Sequence, residues 1–163
     1  MQRDKNNLSE NTIVVFTSDI GPWLSYGDHA GSSGIYREGK GTAWEGGQRV
    51  PCIIKYPREI KAKTIIDEPV MGIDWMPTFS HITGSKLSAN KIDGKNIWTL
   101  LTQKENKSPH KELYFYYRQN ELHAVRSGNW KLYYPRSYRT LIWKPGGKDG
   151  MPVKFEYNEV KSN

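Results

Sequence analysis

Thr12-Ile13-Val14-Val15-Phe16-Thr17 is a run of β-branched and aromatic residues that breaks off at Ser18-Asp19-Ile20-Gly21-Pro22. A run that is apolar without alternation predicts a strand covered on both faces, the kind found in α/β sheets. Gly21 and Pro22 stop it and leave Asp19 at its C-terminal edge. That edge is where open α/β sheets place their ligands.

Upstream of this strand, residues 1–11 are polar and contain no apolar segment of the kind that opens a secretion signal. The sequence itself therefore names no compartment. Downstream, residues 21–49 hold eight glycines (Gly21, Gly27, Gly31, Gly34, Gly39, Gly41, Gly46 and Gly47) and too little apolar periodicity for a helix. Long loops in compact domains are functional or disordered. Disordered segments are poor in aromatics, whereas this one carries Trp23, Tyr26, Tyr36 and Trp44, so an ordered, site-forming loop is expected.

Val50-Pro51-Cys52-Ile53-Ile54-Lys55-Tyr56 predicts a second strand, with Pro51 near its start where a missing N–H is tolerated. The spacing then predicts a short helix over 75–82, with Asp74 as N-cap, Pro77 in the first turn and Gly84 just past the end. From Glu112 the pattern changes. Leu113–Tyr117, Leu122–Arg126 and Trp130–Tyr134 read as three strands joined at Gln119-Asn120 and Ser127-Gly128-Asn129, an antiparallel meander. Beyond Arg136 the chain is rich in Gly, Pro and Lys and no element is assigned; no internal repeat is found.

Composition bounds the possibilities. At 163 residues, one core is expected, because domains run to roughly 100–200 residues. With 36% apolar and 25% charged residues, the chain is neither disordered by composition nor membrane-spanning, and reads as soluble. The formal charge of +7 raises the question of nucleic acid. The basic residues are scattered, however: Lys55, Arg58, Lys61 and Lys63 in one loop and Lys104, Lys107 and Lys111 in another are read as solvated charge. An anionic substrate accounts for the sign equally well, and neither nucleic acid nor membrane is expected as a partner. Cys52, the only cysteine, excludes an intramolecular disulfide and a multi-Cys zinc site and reads as a small buried hydrophobe.

Several blocks together resemble the type I sulfatase (arylsulfatase) family. Phe16-Thr17-Ser18-Asp19-Ile20-Gly21-Pro22 is similar to its F-T-S-D-N-G-P strand end. Gly39-Lys40-Gly41-Thr42-Ala43-Trp44-Glu45-Gly46-Gly47-Gln48-Arg49-Val50-Pro51 resembles its G-K-x-[ST]-x-[WYF]-E-G-G-x-R-x-P signature. Ile73-Asp74-Trp75-Met76-Pro77-Thr78 looks like the D-L-x-P-T helix, and Asp93-Gly94-Lys95-Asn96 like the D-G-x-[DS] turn. Arg126-Ser127-Gly128-Asn129-Trp130-Lys131-Leu132 looks like the R-x-G-x-[WY]-K-L element. The resemblance covers residues 8–150 and implies the C-terminal portion of the family's fold.

That fold is α/β: part of an alkaline-phosphatase-like sheet over 1–111, incomplete, followed by a small antiparallel subdomain over 112–163. Family members hydrolyse sulfuric esters with a formylglycine made in a [CS]-x-P-x-R motif, aided by a divalent cation, usually Ca²⁺. The motif is absent, and Cys52, followed by Ile53-Ile54-Lys55, does not match it. The resemblance implies Asp19 as a metal ligand, a role that suits a hard carboxylate. Ile20 occupies the usual Asn ligand position and offers no lone pair, so calcium binding is expected to be weakened or absent.

Lys40 matches the lysine that contacts the sulfate, where an ammonium neutralises charge on the transferred group; without the resemblance it would read as a solvated loop lysine. His29 lies in the stretch that borders the substrate pocket and is a candidate for recognising the organic part of the ester. Glu45 and Arg49 read as a loop-pinning pair. His123 reads as a sheet residue, and His81 and His110 carry no motif.

The chain is thus expected to lack the nucleophile, to be inactive alone, and to pair with a sulfate ester or sulfated glycan and with a missing N-terminal sulfatase half. The alternative is a non-catalytic sulfated-glycan binding module that uses Trp23, Trp44 and Trp130. The family is usually secreted, periplasmic or lysosomal, which leaves the localisation of this chain unknown. A fragment of this kind is also expected to expose sheet edges and apolar surface.

Overall fold

The computed structural model describes residues 5–141 and 146–161, so the first four residues of the polar lead lie outside the described residues. In chain order the elements are β1 (Val14–Thr17), α1 (Glu45–Gln48), β2 (Cys52–Lys55), α2 (Trp75–Thr83), α3 (Trp98–Leu101), β3 (Glu112–Tyr117), β4 (Glu121–Ser127), β5 (Trp130–Tyr133), β6 (Arg136–Thr140) and β7 (Glu156–Val160), with 3₁₀ turns at Ser9–Asn11, Leu24–His29 and Gly72–Asp74. The chain divides into two compact units rather than closing around one core. One comprises the described residues of Met1–Phe16 and Cys52–Lys111, the other those of Thr17–Pro51 and Glu112–Asn163.

In the first unit β1 pairs with β2, and Tyr56, Ile97, Trp98 and Leu101 form a buried cluster flanked by Ile13, Ile54, Ile60, Ile66, Trp75 and Ile82. The expectation that the first strand is covered on both faces is not met: Phe16 is exposed, as is Ile53 on β2. Two strands of four residues bring too few neighbours to cover two faces. For the same reason Cys52 is exposed, not buried as its apolar surroundings in sequence suggest.

The helix α2 forms where its spacing predicts, and Gly84 closes it at φ +69°, a left-handed conformation that glycine adopts without a Cβ penalty. Asp74 stands at its N-cap position, as expected, but its side chain makes no cap hydrogen bond. The carboxylate turns away from the α2 amides and accepts from Met71 N (2.8 Å), Lys95 N (2.8 Å) and His110 Nε2 (2.8 Å to Oδ1). A buried carboxylate gains more from three dedicated donors than from one helix-end amide. Thr78, also buried, links the same region by donating to Asp74 O and accepting from Ile97 N.

In the second unit β3, β4 and β5 form the antiparallel meander in sequence order, with Arg126 facing both Leu113 and Lys131 in the register. Beyond the expected elements, β6 and β7 pair antiparallel, Tyr138 against Asn158. The polar strand Arg136–Thr140 offered no apolar period to predict it. Among the described residues no helix is long and apolar enough to cross a membrane.

Candidate oxyanion site

All the structure needed to place Asp19 and Lys40 lies within the second unit. Ser18 Oγ donates to Ile20 O at 2.9 Å, folding the chain just past β1. Gly21 N then donates to Gly47 O at 2.9 Å and Lys40 N to Pro22 O at 2.8 Å. The glycines are required by proximity: a Cβ on Gly21 would lie 1.8 Å from Gly46 O, and one on Gly46 would lie 2.0 Å from Glu38 O. Only unsubstituted backbone allows the strand end and the Glu-Gly-Gly turn to pack this closely.

The result is that Lys40 Nζ sits 3.3 Å from Asp19 Oδ2, with the Trp23 ring centroid 5.7 Å from the same ammonium, within cation–π range. The Ile20 backbone N–H and then the Lys40 ammonium hold the Asp19 carboxyl below the ordinary carboxylate value. Asp19 is largely exposed and Lys40 about one-third exposed, so both are accessible to a ligand.

Glu45 is held in place, but not by Arg49. Its Oε1 accepts from Lys131 Nζ at 2.8 Å and its Oε2 from Arg126 Nη1 at 3.2 Å. Arg49 instead lies over the Tyr36 ring at 4.9 Å. The reason is geometric: in the one-turn helix α1, Arg49 follows as the C-cap with extended backbone, so its side chain leaves the turn. The same segment is tied at two further points, Arg37 Nη2 to Tyr138 Oη (2.6 Å) and Thr140 Oγ1 to Glu38 Oε1 (2.7 Å). Residues 21–49 are therefore ordered, with one 3₁₀ turn and one helical turn inside them.

His29 ends the Leu24–His29 turn and is exposed. That turn is fixed from the tail: Gly147 N and Val153 N both donate to Ser25 O at 2.9 Å, and Gly27, at φ +54°, crosses the Gly146-Gly147 backbone. His123 is buried on β4, its Nε2 3.2 Å from Glu121 Oε2, and its ring meets Tyr117 edge-on at 5.5 Å. Trp44 packs 4.2 Å from Tyr133 with the Arg37 guanidinium 3.9 Å from its ring centroid. Trp23 and Trp130 remain exposed. The buried Asp74–His110 contact was missed in sequence, where nothing ties a histidine to a carboxylate 36 positions earlier.

A calcium ion takes six to eight oxygen ligands. Among the described residues no group of three or more His, Cys, Asp or Glu side chains could hold a metal ion. Asp19 offers one carboxylate, and its neighbour Ile20 offers none. The described residues of this chain therefore do not fit a calcium site by themselves.

Residues 34–134 match the family model described as N-sulphoglucosamine sulphohydrolase, C-terminal. The arylsulfatase of Hemicentrotus pulcherrimus is 39% identical over 166 residues, covering 98% of this chain and 29% of that protein. The PsFucS1 sulfatase from Pseudoalteromonas sp. is similar in fold, with a TM-score of 0.80 over 98% of this chain and 31% of that one, at 24% identity. A protein solved in complex with its substrate D-glucosamine-2-N,6-O-disulfate gives a TM-score of 0.62 over 97% of this chain and 29% of that chain, at 25% identity. The chain spans less than a third of each.

Proposed function

Because the chain belongs to the sulfatase family, we propose that it furnishes the oxyanion-binding side of a sulfuric ester hydrolase, with Lys40 as the group that meets the sulfate. The observation that carries this reading is the 3.3 Å approach of Lys40 Nζ to Asp19 Oδ2 across 21 residues of loop. An ammonium at a strand's C-terminal edge is suited to neutralise charge gathering on the sulfuryl oxygens as the ester bond breaks. Asp19, as one ligand of a cation completed outside these residues, belongs to the same proposal. So does His29 as a contact for the organic part of the ester.

The substrate class we propose is a sulfated sugar or aryl sulfate, supported by the disulfated glucosamine bound to the structural relative. The nucleophile is assigned to a segment other than these 163 residues, since they contain no [CS]-x-P-x-R motif. The exposed apolar residues Phe16 and Ile53 support packing against that segment.

The test is a titration of the purified chain with an aryl sulfate, followed by tryptophan fluorescence and by release of the phenol in the presence of Ca²⁺. Binding that disappears in Lys40→Met, with no phenol released, is expected. Turnover by this chain alone overturns the assignment of the nucleophile elsewhere. Binding that survives Lys40→Met overturns the role of Lys40 and favours a glycan-binding module built on the exposed Trp23 and Trp130.

A further inference from the structure

Lys131 lies on β5 with its side chain 9% exposed, an unusual setting for an ammonium. Its three donors are directed inward: Nζ donates to Ala43 O at 2.7 Å and to Glu45 Oε1 at 2.8 Å, and lies 3.7 Å from the centroid of the Phe115 ring. Directly across the sheet, in register with Lys131, stands Arg126. Two like charges opposite one another on neighbouring strands repel. A single carboxylate, that of Glu45, accepts from both.

The dependence runs both ways. Without Glu45 the strands carry an uncompensated pair of cations, one of them buried. Without Lys131 the loop loses the donor to Ala43 O, and Ala43 and Thr42 are themselves buried. Thr42 Oγ1 donates to Gly39 O and Gln48 Nε2 to Thr42 O, so the segment from Gly39 to Gln48 is one hydrogen-bonded unit that contains Lys40. Fixing Ala43 and Glu45 therefore fixes Lys40, three residues away in the same unit.

We infer that Lys131 is a positioning residue: its ammonium, bridging Ala43 O and Glu45, holds the Gly39–Gln48 segment so that Lys40 is presented beside Asp19. The inference rests on the proposal that Lys40 meets the sulfate, and assigns to the meander the task of aiming it. Lys131 touches neither substrate nor reacting atoms. It acts through the loop backbone.

The experiment is hydrogen exchange by mass spectrometry on the purified chain, comparing Lys131→Met, Lys131→Arg and the core variant Leu113→Ala. In Lys131→Met, exchange in peptides spanning 37–49 is expected to rise by about tenfold or more while β3–β5 peptides keep their protection. Lys131→Arg, which retains a charged donor, is expected to recover most of the loss. Leu113→Ala is expected to raise exchange across the second unit.

A Lys131→Met profile that matches Leu113→Ala, or one in which residues 37–49 exchange as in the unchanged chain, overturns the inference. Should Lys131→Met fail to fold, Lys131→Gln, which also removes the charge from β5, carries the same comparison, with the same profiles supporting or overturning it. None of these readouts requires sulfate binding, so failure here is separate from failure of the Lys40→Met titration.

Discussion

His110 Nε2 lies 2.8 Å and 2.9 Å from the two carboxylate oxygens of Asp74, and neither side chain is more than 5% exposed. A carboxylate only accepts, so this ring nitrogen carries the proton. With the amides of Met71 and Lys95 on the same group, Asp74 joins three segments of the first unit.

Replacing Asp74 by alanine removes a buried acceptor from three donors at once. A loss of about 3–5 kcal/mol is expected, the scale of breaking one side of a buried pair. Urea denaturation checks it; a midpoint equal to that of the unchanged chain would show that the contact contributes nothing to stability.

Gly46→Ala and Gly34→Ala separate crowding from backbone preference. A Cβ at Gly46 meets Glu38 O at 2.0 Å and Arg37 O at 2.6 Å, whereas a Cβ at Gly34 meets nothing within 4 Å, although its φ is +60°. Gly34→Ala is expected to cost only left-handed strain, about 1–2 kcal/mol. Gly46→Ala has to displace backbone and is expected to lower the melting temperature further and to weaken aryl sulfate binding. Equal melting temperatures would contradict the close packing of this turn.

Acid is expected to loosen the loop through Glu45. Burial works to raise its pKa, but the hydrogen bond and charge of Lys131, then the charges of Arg126 and Arg49, outweigh it, and the group is held below its ordinary value of 4.5. A carboxylate depressed in the fold contributes stability that is complete above its unfolded value and is lost as pH falls through the folded one. Between about pH 5 and pH 3 the unchanged chain should therefore lose more stability than Glu45→Gln. Parallel pH profiles for the two proteins would count against this.

Lys40→Met is expected to leave the unfolding midpoint close to unchanged. The Asp19–Lys40 pair is exposed on the Asp19 side and open to solvent screening, so it holds little of the fold together. A large drop in melting temperature would mean that Lys40 supports structure, and its loss of ligand binding could no longer be read as local.

Much of the site was legible in the sequence because it is encoded locally. The signature blocks named Asp19 and Lys40, whose side chains lie 3.3 Å apart, while glycine at 21, 39, 46 and 47, read in the sequence as the mark of an irregular loop, allows close backbone approach in the structure. Glu45 was legible as a pinning residue, but its partners were not. Arg49 is near in sequence, whereas Arg126 and Lys131 lie 81 and 86 positions away and reach it only because β4 and β5 are paired. The β6–β7 pair escaped notice because its strands are polar and separated by a long insertion.

The strands at Val14–Thr17 and Cys52–Lys55, the meander and the helix with its terminal glycine followed from residues near one another in the chain, where backbone preference and side-chain period act. Asp19 and Lys40, by contrast, were legible only through the family's signature blocks. That the Asp74 carboxylate ties three segments together instead of capping α2, which cation holds Glu45, and which apolar strand faces remain uncovered were decided by tertiary packing. Those choices depend on desolvation and on partners supplied by distant segments, and neither is present until the chain has folded.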